Sequence, residues 1–321
     1  MKAKRIITLL TLTLLTASLL SACNAKAKKD SDNGNTGDNG NIQATTTTAH
    51  THIPGEWIVV KEPTVSIDGI RQQCCTKCGE VVLSEKIPAI GSAGLTYEVN
   101  PDGKTCTVTG IGICTDVYLI VGQINPDGYT VTTIGKDAFK GCTALRSVVL
   151  PDTITEIGKY AFRGCKSMTS IHLPDGLTTI GQNAFSECSS LTSVFLPDSV
   201  TSVGMLAFAD CTMLKSVQLS KNLTTLPKYI FTGCTALATI TIPEGVEEIE
   251  EYAFSYCLKL TKISLPSSLT YIGYNVFSES YNLAEIDYQG TTAQWKATEK
   301  DPHWDNYISL CSIFGTDGKI R

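Results

Sequence analysis

The chain is 321 residues long and carries a net charge of −5 at pH 7, with 26 Lys and Arg against 31 Asp and Glu. That balance offers no strongly basic face, which excludes duplex nucleic acid as an expected partner, because such binding draws on clustered Lys and Arg. Hydrophobic residues make up 42% of the chain, enough for a sizeable core, and the 13 cysteines need an explanation from their spacing.

Lys2, Lys4 and Arg5 are followed from Ile6 by an apolar run of Leu and Ile with interspersed Thr, ending in Leu20-Ser21-Ala22-Cys23. The run is about 15 residues, short of the roughly 20 that a membrane-spanning helix needs, and small residues mark a cleavage point. Residues 1–22 therefore read as an export signal, and loss of its three cations takes the net charge from −5 to about −8. Leu-Ser-Ala-Cys resembles the bacterial lipobox. The resemblance implies a lipid anchor on Cys23 and a place on the outer side of the cell membrane, with about 0.8 kcal/mol of affinity per buried acyl methylene. An ordinary signal peptide with a chance cysteine is the alternative. Residues 23–49 are Lys, Asp, Asn, Gly and Thr with almost nothing apolar, and read as a flexible tether.

Residues 50–92 read as a small, separate β-rich His/Cys module. It holds His50, His52 and Trp57, then Cys74-Cys75-Thr76-Lys77-Cys78-Gly79. Cys-x-x-Cys-Gly is half of a zinc knuckle: Cys75 and Cys78 can fill two tetrahedral positions, with His50 or His52 extending the set. The stretch resembles a short His/Cys module that precedes repeats in bacterial surface proteins. It departs from that module at Val65, where a Cys is usual, and at Ser92, where a closing His is usual. A disulfide or free thiols are the alternatives to zinc, and no other cofactor is expected. A redox-catalytic pair is disfavoured, because Pro54, Gly55, Gly69 and Gly79 describe a loop-rich unit without the helix N-terminus that lowers a thiol pKa.

Residues 93–133 alternate apolar and polar side chains around Asp102-Gly103, a hairpin signal, and read as an N-terminal β cap. From 134 to 288 one pattern repeats. Phe139, Phe162, Phe185, Phe208, Phe231, Phe254 and Phe277 are each 23 residues apart. Cys142, Cys165, Cys188, Cys211, Cys234 and Cys257 keep the same period of 23. The frame is Ile-Gly-x-x-Ala-Phe-x-x-Cys-x-x-Leu-x-x-Ile-x-Leu-Pro, as in Ile180 through Pro197. One short strand per coil is expected near its end, stopped by Pro151, Pro174, Pro197, Pro243 or Pro266.

No single coil can bury its Leu, Ile and Phe alone, so coils must stack and cover one another. With strands about 4.8 Å apart, seven coils predict one parallel sheet roughly 29 Å long. The periodic cysteine reads as a small buried filler of a crowded corner, although pairing between adjacent coils is geometrically open. Ser280 replaces it in one coil, which a thiol-specific function would not tolerate. The frame is also broken at Ser220 for Pro, and at Pro227 and Glu250 for Gly. Residues 289–321 read as a C-terminal cap in which Trp295 and Trp304 seal the last coil.

This frame resembles the repeat of the BspA-like leucine-rich-repeat family of bacterial surface proteins. The resemblance implies a solenoid with a short parallel strand per coil. It also implies an adhesin-like role, binding a protein or glycan on host extracellular matrix or another cell surface. A structural role in assembling the cell envelope, without a soluble ligand, is the alternative. Enzymatic activity is not expected: His50, His52, His172 and His303 sit in no catalytic motif, and there is no phosphate loop or nucleophile elbow. Alternation along the strands turns Val149, His172, Phe195 and Gln218 outward, on the concave face if the solenoid curves. A large aromatic on such a bed of Ser and Thr is the form an interface anchor takes, with Phe195 its centre.

Overall fold

A computed structural model describes residues 51, 53–61, 64, 68–78, 80–87 and 91–321. The signal segment, Cys23, the tether, His50 and His52 lie outside the described residues. The chain divides into two compact units between Ala89 and Ile90.

The first unit is an antiparallel sheet of β1 (Pro54–Lys61), β2 (Gly69–Cys75) and β3 (Val81–Ile87), with β2 in the middle. The second opens with a hairpin of β4 (Thr96–Val99) and β5 (Thr105–Gly110). Its turn is held by the Asp102 carboxylate, which accepts hydrogen bonds from the backbone N–H of Lys104 and Thr105 and from the Thr105 hydroxyl. Those bonds favour the ionised form and lower the Asp102 pKa. Two strands then start the stack, β6 (Tyr118–Ile120) and β7 (Thr130–Ile134).

Each coil contributes two strands. They are β8 (Ser147–Val149) and β9 (Glu156–Ile157), β10 (Ser170–His172) and β11 (Thr179–Ile180), β12 (Ser193–Phe195) and β13 (Ser202–Val203), β14 (Ser216–Gln218) and β15 (Thr225–Leu226). Next come β16 (Thr239–Thr241) and β17 (Glu248–Ile249), β18 (Lys262–Leu265) and β19 (Tyr271–Ile272), then β20 (Glu285–Tyr288). After helix α1 (Thr292–Ala297), the chain adds β21 (Glu299–Lys300), β22 (Ser312–Gly315) and β23 (Gly318–Lys319). The fold is a leucine-rich-repeat solenoid with parallel pairing between coils. The first strand of each pair is the one the sequence announces. The second follows the turn that a proline, or Ser220 in one coil, begins, and there Ile157, Ile180, Leu226, Ile249 and Ile272 point inward. Two residues are too few to display an alternation, so this second ladder carries no period-2 signal in the sequence.

The expected unbroken sheet is instead divided. Along the first ladder the strands fall into three sets, β6-β8-β10, β12-β14 and β16-β18-β20-β22-β23; the second ladder breaks between β13 and β15. At that second break the cause is local. Gly204 donates its N–H to Ile180 at 2.7 Å and Glu250 to Leu226 at 2.9 Å, whereas Pro227 has no N–H to offer Val203.

The core is a set of columns. The seven Phe rings stack with centroids 5.2 to 5.9 Å apart. Beside them each buried thiol donates to a Phe carbonyl of the preceding coil: Cys165 to Phe139, Cys188 to Phe162 and Cys211 to Phe185, all at 3.2 Å. Ser280 makes the same bond to Phe254 at 2.7 Å. The Phe column ends edge-on against Trp304 at 6.3 Å, which packs on Trp295, itself packed on Tyr288.

Candidate binding surface

In a parallel ladder successive side chains point to opposite faces, so the middle residue of each three-residue strand enters the core and its two neighbours leave it. Val148, Val194 and Ile240 accordingly point inward, and Val149 and Phe195 stand out, 55% and 52% exposed. His172 and Gln218 are exposed as well. Register brings the four together as two side-by-side pairs, Val149 beside His172 and Phe195 beside Gln218. The two pairs belong to neighbouring coils across the break between β10 and β12.

Tyr118 extends this surface and escaped the sequence reading. It is 61% exposed and lies beside Ser147, at the head of a row of small residues formed by Ser147, Ser170, Ser193 and Ser216. The alternation that turns Leu119 inward is the signal that would have found it, but Val117-Tyr118-Leu119-Ile120 is apolar on both faces, and its register needs β8 as a reference. At the other end the row becomes charged. Lys262 pairs with Glu285 at 2.5 Å and approaches Asp287 at 3.9 Å, and the bond to Glu285 raises the lysine pKa. All three side chains are partly exposed, so the pairing contributes little to stability and chiefly fixes the rim's charge pattern.

Two other sites stand on turns between the ladders. Lys140, Lys159 and Arg163 all lie over the Tyr160 ring, at 5.3, 4.9 and 5.6 Å from its centroid. Arg163 also grips Glu187 through two nitrogens, at 3.0 and 2.6 Å. At the C-terminal end Tyr256, Leu258 and Tyr281 are exposed, and Tyr281 packs edge-on against Tyr307 at 5.9 Å.

The cysteines divide by environment. Removal from water pushes Cys211 and Cys257 up to about 12, and raises Cys165, Cys188 and Cys234 as well. These are free thiols, protonated and buried at neutral pH, which removes them as nucleophiles. In the first unit Cys75 is buried on β2 and accepts a hydrogen bond from the Lys77 N–H at 3.4 Å. Cys78 donates to Glu80 at 3.8 Å. A backbone hydrogen bond at Glu80 pulls the Cys78 pKa down, but partial desolvation and neighbouring Cys75 leave it raised overall. The two thiols are thus near one another, while His50 and His52 lie outside the described residues. Among the described residues no three His, Cys, Asp or Glu side chains are grouped to hold a metal, and no helix is long and apolar enough to cross a membrane.

Comparison with known proteins places these features in context. A family profile described as the BspA type leucine rich repeat region matches in 6 copies over residues 126–235 and 179–298, together more than half of the chain. A leucine rich repeat protein of T. pallidum, TpLRR, is 29% identical, with a TM-score of 0.54 over 59% of this chain and 88% of that one. A leucine-rich repeat protein from Bacteroides ovatus is 24% identical, with a TM-score of 0.49 over 69% of this chain and 70% of that one. A leucine rich cell surface protein from Faecalibacterium prausnitzii is 22% identical, with a TM-score of 0.35 over 68% of this chain and 98% of that one. No curated protein sequence matches.

Proposed function

Because the chain belongs to the BspA-type leucine-rich-repeat family, we propose that it is a cell-surface recognition protein that binds an external protein or glycan through its exposed strand row. The observation that carries this reading is the set of outward side chains at Tyr118, Val149 and His172 on the paired strands β6, β8 and β10, with Phe195 on β12 in the next coil, among small serines. Large exposed side chains on a polar bed are the usual anchors of a protein interface. On this reading the export signal is removed, lipid on Cys23 holds the chain to the outer face of the membrane, and residues 23–49 keep the folded parts clear of it. The strand row then acts as an adhesin-like contact with host matrix or another cell. The activity is binding, with no catalytic step. Cys75 and Cys78 with His50 or His52 are, in the same proposal, ligands for a structural zinc ion.

The test is binding of the chain from residue 24 onward to an array of matrix proteins and glycans. A Phe195→Ala, His172→Ala double variant is run alongside. Saturable binding that falls roughly tenfold or more in the variant, the scale of a lost hot spot, is the expected result. A second reading, assembly within the cell envelope, is favoured by a different observation, the Tyr256, Leu258, Tyr281 and Tyr307 patch at the C-terminal end. It becomes the better one if nothing on the array binds and the chain self-associates through that patch.

A further inference from the structure

We infer that the break in the first ladder between β14 and β16 is a binding cleft for a carboxylated sugar; this deepens the recognition reading above and rests on it.

The break differs from an ordinary coil junction. At the junctions around it, the other break between β10 and β12 included, the residue before each strand donates to its counterpart one coil earlier: Thr192 to Thr169 at 3.2 Å, Lys215 to Thr192 at 2.9 Å, Thr261 to Ala238 at 2.9 Å. Among the described residues Ala238 makes no such bond to Lys215, and β14 and β16 belong to separate sheets. Val217, the inward residue of β14, is half-buried, while Val194 and Ile240 on either side are each 4% exposed. Where the ladder opens, a cleft of about 430 Å³ lies over Val217, Ile240 and Pro243. Its position coincides with a departure of the repeat. Ser220 stands where a proline ends the other strands, and the segment it begins is drawn back to the preceding coil. Asp198 accepts from the Lys221 N–H at 3.2 Å and from the Lys221 ammonium at 3.2 Å, and its carbonyl accepts from the Asn222 side chain at 2.7 Å.

The chemistry of the cleft is mixed. Its floor is aliphatic. Its rim carries the Gln218 amide and the hydroxyls of Ser216, Thr239 and Thr241, with Lys215, whose backbone C=O lacks the bond from the next coil. Of its two ammonium groups Lys221 is held by Asp198, and Lys215, among the described residues, takes part in no ion pair. Sugar hydroxyls both donate and accept, and the C–H face of a sugar ring suits an aliphatic floor. One available ammonium matches one carboxylate; a sulfate or phosphate chain calls instead for several cations or a forked guanidinium. The volume lies near the lower end of the range of about 300–1,000 Å³ usual for small-ligand sites. An extended peptide needs a free sheet edge to pair with, and here both edges face an adjoining coil.

The experiment is calorimetric titration of the full chain with four carboxylated probes: oligogalacturonate, oligoalginate, hyaluronan oligosaccharide and sialyllactose. Neutral galactose oligomers, a heparin oligosaccharide and an oligoglutamate peptide are the comparators. Saturable binding of at least one carboxylated probe is expected. It should be stronger than that of every comparator and roughly tenfold weaker in Lys215→Gln, the loss of one charged hydrogen bond. Lys215 is exposed, so its replacement leaves the fold intact and the comparison readable. Silence towards all four carboxylated probes, equal binding of a comparator, or wild-type affinity in Lys215→Gln overturns the inference. Recognition through the Phe195 row would survive that outcome, since it stands or falls on the separate array.

Discussion

Cys211 shows what the periodic cysteine is for. Its thiol is completely buried and donates to the Phe185 carbonyl at 3.2 Å, and Ser280 does the same for Phe254. The position therefore selects a small side chain with a donor, and sulfur chemistry plays no part. Cys211→Ser should lower stability by only about 1 kcal/mol in urea unfolding. Cys211→Val, which leaves the Phe185 carbonyl with only the Cys188 N–H at 3.3 Å and adds bulk to a filled column, should cost about 1–3 kcal/mol. The same burial fixes a pH dependence. The folded thiols are raised above their unfolded value, so the stability they contribute is complete below that value, about 8.5, and is lost as pH climbs towards about 12, because the unfolded chain ionises first. Thermal midpoints should fall steadily between pH 8.5 and pH 11, and less steeply in Cys211→Ser. A flat profile would mean that the thiols are paired or exposed.

At the scale of the coil, the turn after each Phe needs a left-handed residue. Gly141, Gly164 and Gly233 supply it with φ of 73°, 72° and 72°; Glu187, Asp210, Tyr256 and Glu279 occupy the same place with φ of 61°, 58°, 57° and 61°. For a side chain with a Cβ this conformation costs about 1–2 kcal/mol. Tyr256 is the bulkiest of the four and is 53% exposed, so little packing offsets the strain. Tyr256→Gly should raise stability by about 1 kcal/mol in thermal unfolding. A gain there would agree with a tyrosine kept for its surface, and a loss would show that it packs more than its exposure suggests.

Across the whole molecule, stability resides in contacts between neighbouring coils, so the ends matter most. Phe277 and Tyr288 are covered by Trp304 and Trp295, which the segment after Tyr288 supplies. Ending the chain at Tyr288 should expose that apolar face, lower the melting midpoint and create binding of a hydrophobic dye. Removing one whole central coil of 23 residues should create no dye binding, because each new neighbour presents the same columns, and should lower the midpoint less than the truncation does.

The coil, its length and the inward side of its main strand were legible in the sequence, because a fixed period of Phe, Cys, Leu and Pro is a local property repeated until it is unmistakable. The outward direction of Val149, His172, Phe195 and Gln218 follows from the same alternation. Pro227 shows how far that legibility extends: the sequence marks a departure from Gly, but only the neighbouring coil shows that the missing N–H would have gone to Val203. Tertiary structure alone decided the rest. The second ladder has strands too short to signal themselves. Tyr118 joins the exposed row through pairing with a strand of the next coil. The opening between β14 and β16 is a gap between two coils, and such a relation has no counterpart in the order of residues along either one.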